Sequence, residues 1–144
     1  MTNSGLDFFI DKAVRCFFVK HYGVFDREIA LRGNQSLVKH SDYERDLNRV
    51  IDIRRCKIDL SNDDVRDLSR NVARLAATDG QYRGAYLVDS SLAFGLARVF
   101  NSLADNSAGE YKIFKADHDH LIPDLKKWLN LDEGYRLPNF MDPR

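Results

Sequence analysis

A chain of 144 residues, 44% hydrophobic and 31% charged, holds enough apolar material for one core and enough charge for a solvated surface. Its 22 basic residues equal its 22 acidic ones, which removes any broad electrostatic draw toward nucleic acid or an acidic membrane. No apolar run approaches the ~20 residues that span a bilayer, and the opening "MTNSGLDFF" lacks the basic segment and long apolar stretch of a signal peptide, so a cytoplasmic protein is expected.

Residues 6–10 and 14–22 read as two strands joined tightly at Asp11-Lys12, hence an antiparallel pair. Phe17-Phe18-Val19 is apolar without alternation, as a strand covered on both faces requires. Asp26 stands where it can cap a helix over 27–38, with Phe25, Ile29, Gly33 and Leu37 at helical spacing. Gly33 and Asn34 lower that helix's propensity. A third strand covers 48–54, with Val50, Ile51 and Ile53.

Ser61-Asn62-Asp63-Asp64 opens the clearest helix. The serine can accept from a first-turn N–H, and the aspartates favour the positive end of the helix. Val65, Leu68, Val72, Leu75 and Ala76 fall on one stripe, and Gly80 closes the segment. Residues 83–88 form the next strand. A helix follows over 91–104, with Leu92, Leu96, Val99, Phe100 and Leu103 expected inward. Gly95 inside it costs about 1 kcal/mol relative to alanine, which is expected to reflect a close helix approach or a dimer contact. Residues 110–115 form the last strand. Leu121, Ile122, Leu125, Trp128 and Leu129 mark a final amphipathic helix, with Pro123 in its first turns.

The order β-β-α-β-α-β-α-β-α predicts an α/β fold: a five-stranded mixed sheet, right-handed crossovers, one antiparallel edge and four helices. One domain is expected over 1–131. The stretch 132–144 carries Tyr135, Leu137, Phe140 and Met141 without period, so it is either a disordered tail or apolar material laid on its own domain or on a second subunit.

This order resembles the STAS/SpoIIAA-like family of small bacterial proteins through particular stretches. They are "NRVIDIRR" as third strand, "LSNDDVRDLSRNVA" as the following helix, "RGAYLVDSSLAFGLARVFNSLA" as a strand–helix unit, and "YKIFKADHDHLIPDLKKWL" near the end. The resemblance spans residues 6–131 and implies the SpoIIAA-like fold. Members of the superfamily include anti-sigma-factor antagonists and regulatory domains of sulfate transporters. They bind protein partners, sometimes under serine phosphorylation, and some bind nucleotides; a related group binds lipids. In the antagonists the phosphorylated serine lies in an Asp-Ser-Ser-Gly-like turn after the third strand. The matching turn here reads Asp59-Leu60-Ser61-Asn62-Asp63-Asp64, where acidic neighbours repel a phosphate.

Asp89-Ser90-Ser91 has the family's letters one strand later, at a strand's carboxyl end where open α/β sheets bind ligands. It lacks the Gly-x-Ser-x-Gly of a nucleophile elbow, so a helix cap at the rim of a crevice is expected. Arg54, Arg55 and Lys57 follow the third strand, either holding an anion or acidic partner or lying solvated beside Asp59. Arg66, Arg70 and Arg74 recur on one helix face, interspersed with Asp63 and Asp67. Asp117-His118-Asp119-His120 is metal-like in composition, but histidines two apart diverge on a helix, and a polar turn is expected. Cys16 and Cys56 read as buried reduced thiols.

No catalytic constellation, cofactor motif or metal set emerges. The expected function is a non-enzymatic regulatory or protein-interaction module. Its contacts would run through Arg54, Arg55, Ser61, Asp89, Ser90 and Ser91, toward an unidentified protein or a second copy of the chain. The alternative is a carrier of a small apolar or nucleotide ligand in a crevice between helices and sheet, where Phe8, Phe9, Phe17, Phe18, Phe94 and Phe100 either line the crevice or fill the core.

Overall fold

The sheet begins with β1 (Gly5–Asp11) and β2 (Cys16–Phe25), antiparallel and in register from Gly5 opposite Tyr22 to Asp11 opposite Cys16. The computed structural model describes residues 5–103 and 109–141, in side-chain detail for all of these but 72, 73, 75–79 and 103. The turn between the two strands is closed by Asp11, whose carboxylate accepts from Ala13 N at 3.1 Å, and by Arg15 at φ 53. β3 (Asn48–Asp52), β5 (Tyr82–Val88) and β6 (Gly109–Lys115) add in parallel, giving the order β1-β2-β3-β5-β6.

The sheet has six strands rather than the expected five. The third strand stops at Asp52, the chain turns through Ile53-Arg54-Arg55 with Arg55 at φ 66, and β4 (Cys56–Ile58) then pairs with Gly23–Phe25 of β2. The physical reason is a length mismatch. β2 runs for ten residues and β3 for five, so without β4 the end of β2 would have no parallel neighbour on that side. The element order is therefore β-β-α-β-β-α-β-α-β-α.

The helices start where their caps place them. Asp26 accepts from Ile29 N at 2.9 Å and opens α1 (Arg27–Val38). Ser61 and Asp64 bond reciprocally, at 3.1 and 3.0 Å, to open α2 (Asn62–Asp79), and Gly80 ends it at φ 84. α3 (Ser91–Leu103) and α4 (Leu121–Trp128) complete the set.

The strand period sends core side chains to both faces of the sheet. Phe25, Ile53, Tyr86 and Val88 face α1, α2 and α3. Phe18, Val50, Ala85, Leu87 and Phe114 face α4. Phe17, Phe18 and Val19 are 2%, 0% and 8% exposed, so β2 is covered on both sides as its composition requires. Tyr135, Leu137, Phe140 and Met141, from the stretch read as a tail, pack against the α4 cluster on their own domain, and Met141 is buried. Trp128 Nε1 donates to Gly84 O at 2.8 Å and ties α4 to β5.

α3 buries Leu96 and Phe100 as expected, but its inner face is rotated from the expected one at Leu92 and Val99. Ala93, Leu96, Ala97 and Phe100 are buried, whereas Leu92 is 63% and Val99 41% exposed. Small side chains at 93 and 97, one turn apart, let the helix lie close to its neighbours and leave the bulkier Leu92 and Val99 on the flank. Gly95 marks no close approach among the described residues: none of them lies within 4 Å of where its Cβ would stand. Leu68 is buried and Val65 half-buried on α2, as its stripe predicts, while Val72, Leu75, Ala76 and Leu103 fall outside the described side chains. Among the described residues no helix is long and apolar enough to cross a membrane.

Candidate functional site

Alternation along β2 sends Phe17, Val19 and His21 to the same face, toward α1. Register sets Arg49 of β3 beside Phe17 and Ile51 beside Val19. Tyr82 and Tyr86 of β5 and Tyr111 of β6 extend that floor. Ala30, Gly33, Asn34, Leu37 and Val38 of α1, with Leu68 of α2, stand over it. Between them lies a cavity of about 110 Å³.

Glycines shape this floor. Tyr82 stands opposite Gly109 and Gly84 opposite Tyr111, and each tyrosine ring lies across the strand where the glycine has no side chain. Tyr111 then stacks on Tyr86 with centroids 4.9 Å apart and meets Tyr82 edge-on at 5.6 Å. Its hydroxyl donates to Tyr82 Oη at 3.3 Å. Gly84→Ala is therefore expected to push the Tyr111 ring toward the cavity and cost about 1–3 kcal/mol by overpacking. Urea unfolding measures the loss, and a stability equal to that of the parent would show that the ring has room to give.

The polar groups on the floor are held in unusual states. Arg49 is 5% exposed. Its Nε and Nη2 donate to Leu47 O at 3.3 and 2.9 Å, and its guanidinium lies 3.4 Å from the Tyr82 centroid and 4.7 Å from that of Phe17. Burial raises the phenols of Tyr86 and Tyr111 above their ordinary range, with the Arg49 charge pulling the other way, so both stay neutral hydroxyls. His21 is 6% exposed and set edge-on to Phe25 at 4.8 Å. Its Nδ1 has no hydrogen-bond partner among the described residues.

Burial lowers the His21 pKa from 6.5 to about 4, so the ring is neutral at pH 7. Between those two values the unfolded chain binds the proton more readily than the folded one. The contribution to stability is thus complete above pH 6.5 and is lost as the pH falls toward 4, by at most ~1.4 kcal/mol per pH unit. Unfolding free energy measured from pH 7 to 4 is expected to fall more steeply in the parent than in His21→Phe. Parallel curves would mean that the ring charges freely in the folded state.

The residues singled out from the sequence lie elsewhere. Asp89 Oδ2 accepts from Arg55 N at 2.6 Å and joins the start of β4 to the end of β5. Ser90 Oγ accepts from Ala93 N at 3.1 Å, so it caps α3, and Ser91 is that helix's exposed first residue. Ser61 is engaged in the α2 capping box. Arg54 requires a correction. It is 3% exposed, far from a solvated position, and grips fully buried Asp52 through Nε to Oδ1 at 3.0 Å and Nη2 to Oδ2 at 2.8 Å. The acid two residues upstream draws it inward.

The carboxyl-end crevice exists as an open groove lined by Asp89, Ser90, Ser91, Phe94, Lys115 and Asp117. Lys115 Nζ lies 4.7 Å from the Phe94 ring centroid there. In the turn before α4, His118 Nε2 and Asp124 Oδ2 are 2.7 Å apart, and that hydrogen bond holds the Asp124 carboxyl below its usual range. Cys16 is buried and Cys56 half-buried; both are free, and burial pushes each thiol up to about 12.

Sequence reasoning missed the cavity residues His21, Arg49, Tyr82, Tyr86 and Tyr111. Their shared signal is a polar side chain on the inward period of adjacent strands.

No family model matches the chain, and no curated protein does. Among solved structures it is similar to an uncharacterized protein of the DUF3478 family with a SpoIIAA-like fold, from Shewanella loihica PV-4. The two share 19% identity over 90% of this chain and 97% of that one, with a TM-score of 0.56. The architecture is the SpoIIAA-like α/β fold, and at that identity the likeness carries the fold alone.

Proposed function

We propose that the chain is a non-enzymatic regulatory module that takes a small, mainly apolar ligand between its sheet and helices α1 and α2 and acts on a protein partner in the cytoplasm. The observation that carries the reading is the cavity of about 110 Å³ floored by aromatic rings and a few buried polar groups. Protein interiors are close-packed, and voids larger than a water are few. A concave apolar site with sparse convergent polar groups is the usual form of a ligand pocket. At about 110 Å³ this cavity is smaller than the roughly 150 Å³ cavity that binds benzene, so it admits at most one small ring and excludes a nucleotide. Ser90 is committed to a cap and both thiols are held protonated, which supports a binding role over a catalytic one. Two free cysteines fit a reducing compartment. The groove at Asp89, Ser90 and Ser91, with Arg55 tied beside it, is the surface offered to the partner.

Titration with toluene, followed by amide chemical shifts, tests the ligand reading. Saturable shifts confined to β2, β3, β5 and α1 are expected. A spectrum unmoved up to the solubility limit of toluene and of its hydroxylated relatives would overturn it.

A further inference from the structure

Resting on the reading of the cavity as a ligand site, we infer that its ligand is a phenol: a single aromatic ring whose hydroxyl pairs with His21 Nδ1. Size limits the guest to one ring, as argued above. Shape favours a flat one, because Phe17, Tyr86 and Tyr111 present rings to the space. Polarity comes from His21. Its ring is 94% buried, lines the cavity and carries a nitrogen with no partner among the described residues. A buried polar atom left unsatisfied costs about 1–3 kcal/mol, so a guest that satisfies it is selected over one that does not.

The hydroxyl follows from the state of the imidazole. The ring is neutral, so Nδ1 donates in one tautomer and accepts in the other. A hydroxyl answers both. A carboxylate answers only one and must bury its charge, which is costly without a cation in reach. Arg49, the cation on this floor, stands in register with Phe17, four residues before His21 on the strand. Its guanidinium already donates to Leu47 O at 3.3 and 2.9 Å and lies 3.4 Å from the Tyr82 centroid, so it is engaged by the protein's own groups. Arg49 acts instead through its positive field, which disfavours a cationic guest.

The test uses the full chain and three probes of one ring size: p-cresol, toluene and benzoate. The nitrogen shift of His21 Nδ1 is followed alongside affinity. The expected result is that p-cresol binds about tenfold tighter than toluene, moves the Nδ1 resonance, and falls to the level of toluene in His21→Phe. Should that variant fail to fold, the Nδ1 shift of the parent decides. Equal affinities for p-cresol and toluene with an unmoved Nδ1, as when a water keeps that nitrogen, would overturn the phenol and leave the cavity standing as a ligand site. Tightest binding of benzoate would overturn it in favour of an acid. Absence of saturable binding by all three would overturn this inference and the proposed function together.

Discussion

Asp52→Ala is expected to destabilise the protein by about 3–5 kcal/mol, the cost of removing one partner from a buried ion pair. The carboxylate is fully buried and receives both forks of the Arg54 guanidinium, at 2.8 and 3.0 Å. It also accepts from Arg54 N at 2.9 Å, so it shapes the backbone turn that ends β3. Alanine withdraws all three bonds and keeps a guanidinium in the interior. The double variant Asp52→Leu/Arg54→Met is expected to recover much of the loss, because the desolvation of both charges disappears with them. Urea unfolding of the three proteins measures this. A single-variant loss below about 1 kcal/mol would place the pair in solvent-like surroundings.

The same variant reaches the cavity. The Asp52–Arg54 turn brings Cys56 beside Gly23, where the Cys56 thiol donates to His21 O at 3.1 Å. β4 thus holds the stretch of β2 that carries His21. Loosening the turn frees that stretch, and Asp52→Ala is expected to weaken ligand binding as well as stability.

The hairpin, the Asp26 and Ser61 caps and the Gly80 stop were legible because each is a local signal complete within a few residues. β4 was not, because three residues show no period and the pairing is dictated by the unequal lengths of β2 and β3. The inner face of α3 was ambiguous for the opposite reason. Leu92, Ala93, Leu96, Ala97, Val99 and Phe100 make an apolar arc so wide that spacing alone selects no side. Arg54 beside Arg55 resembled a surface run, and only the fold shows Asp52 drawing it inward.

The candidate site was the least legible part. The sequence offered a crevice between helices and sheet only as the alternative, with six phenylalanines either lining it or filling the core. Of these, Phe17 and Phe100 line the cavity, and Phe18 faces the other side. His21, Arg49 and Tyr111 sit far apart in the chain, and no motif unites them; the register of β2, β3, β5 and β6 does. Asp89-Ser90-Ser91 attracted notice by its letters, yet Ser90 caps a helix and Asp89 holds Arg55.

Phe18→Ala separates the two faces of β2. Its side chain is wholly buried among Cys16, Val50, Leu87, Phe114 and Leu125 and stacks on Tyr135 at 6.1 Å. Removing the ring is expected to cost about 3–5 kcal/mol, the sum of lost transfer energy and the void left behind. The sheet floor and the ring of Tyr135, which donates to Asp11 Oδ2 at 2.7 Å, restrict collapse, so the upper part of that range is expected. Because Phe18 points away from the cavity, the folded fraction should bind p-cresol with unchanged affinity. Phe17, its neighbour on the cavity side beneath Arg49, should behave differently: Phe17→Ala enlarges the existing space and shifts preference toward a bulkier guest. Thermal unfolding combined with ligand titration of both variants checks the contrast. A Phe18→Ala protein that loses ligand affinity in step with stability would show that the two faces are coupled through the strand and that the cavity depends on the α4 side for its shape.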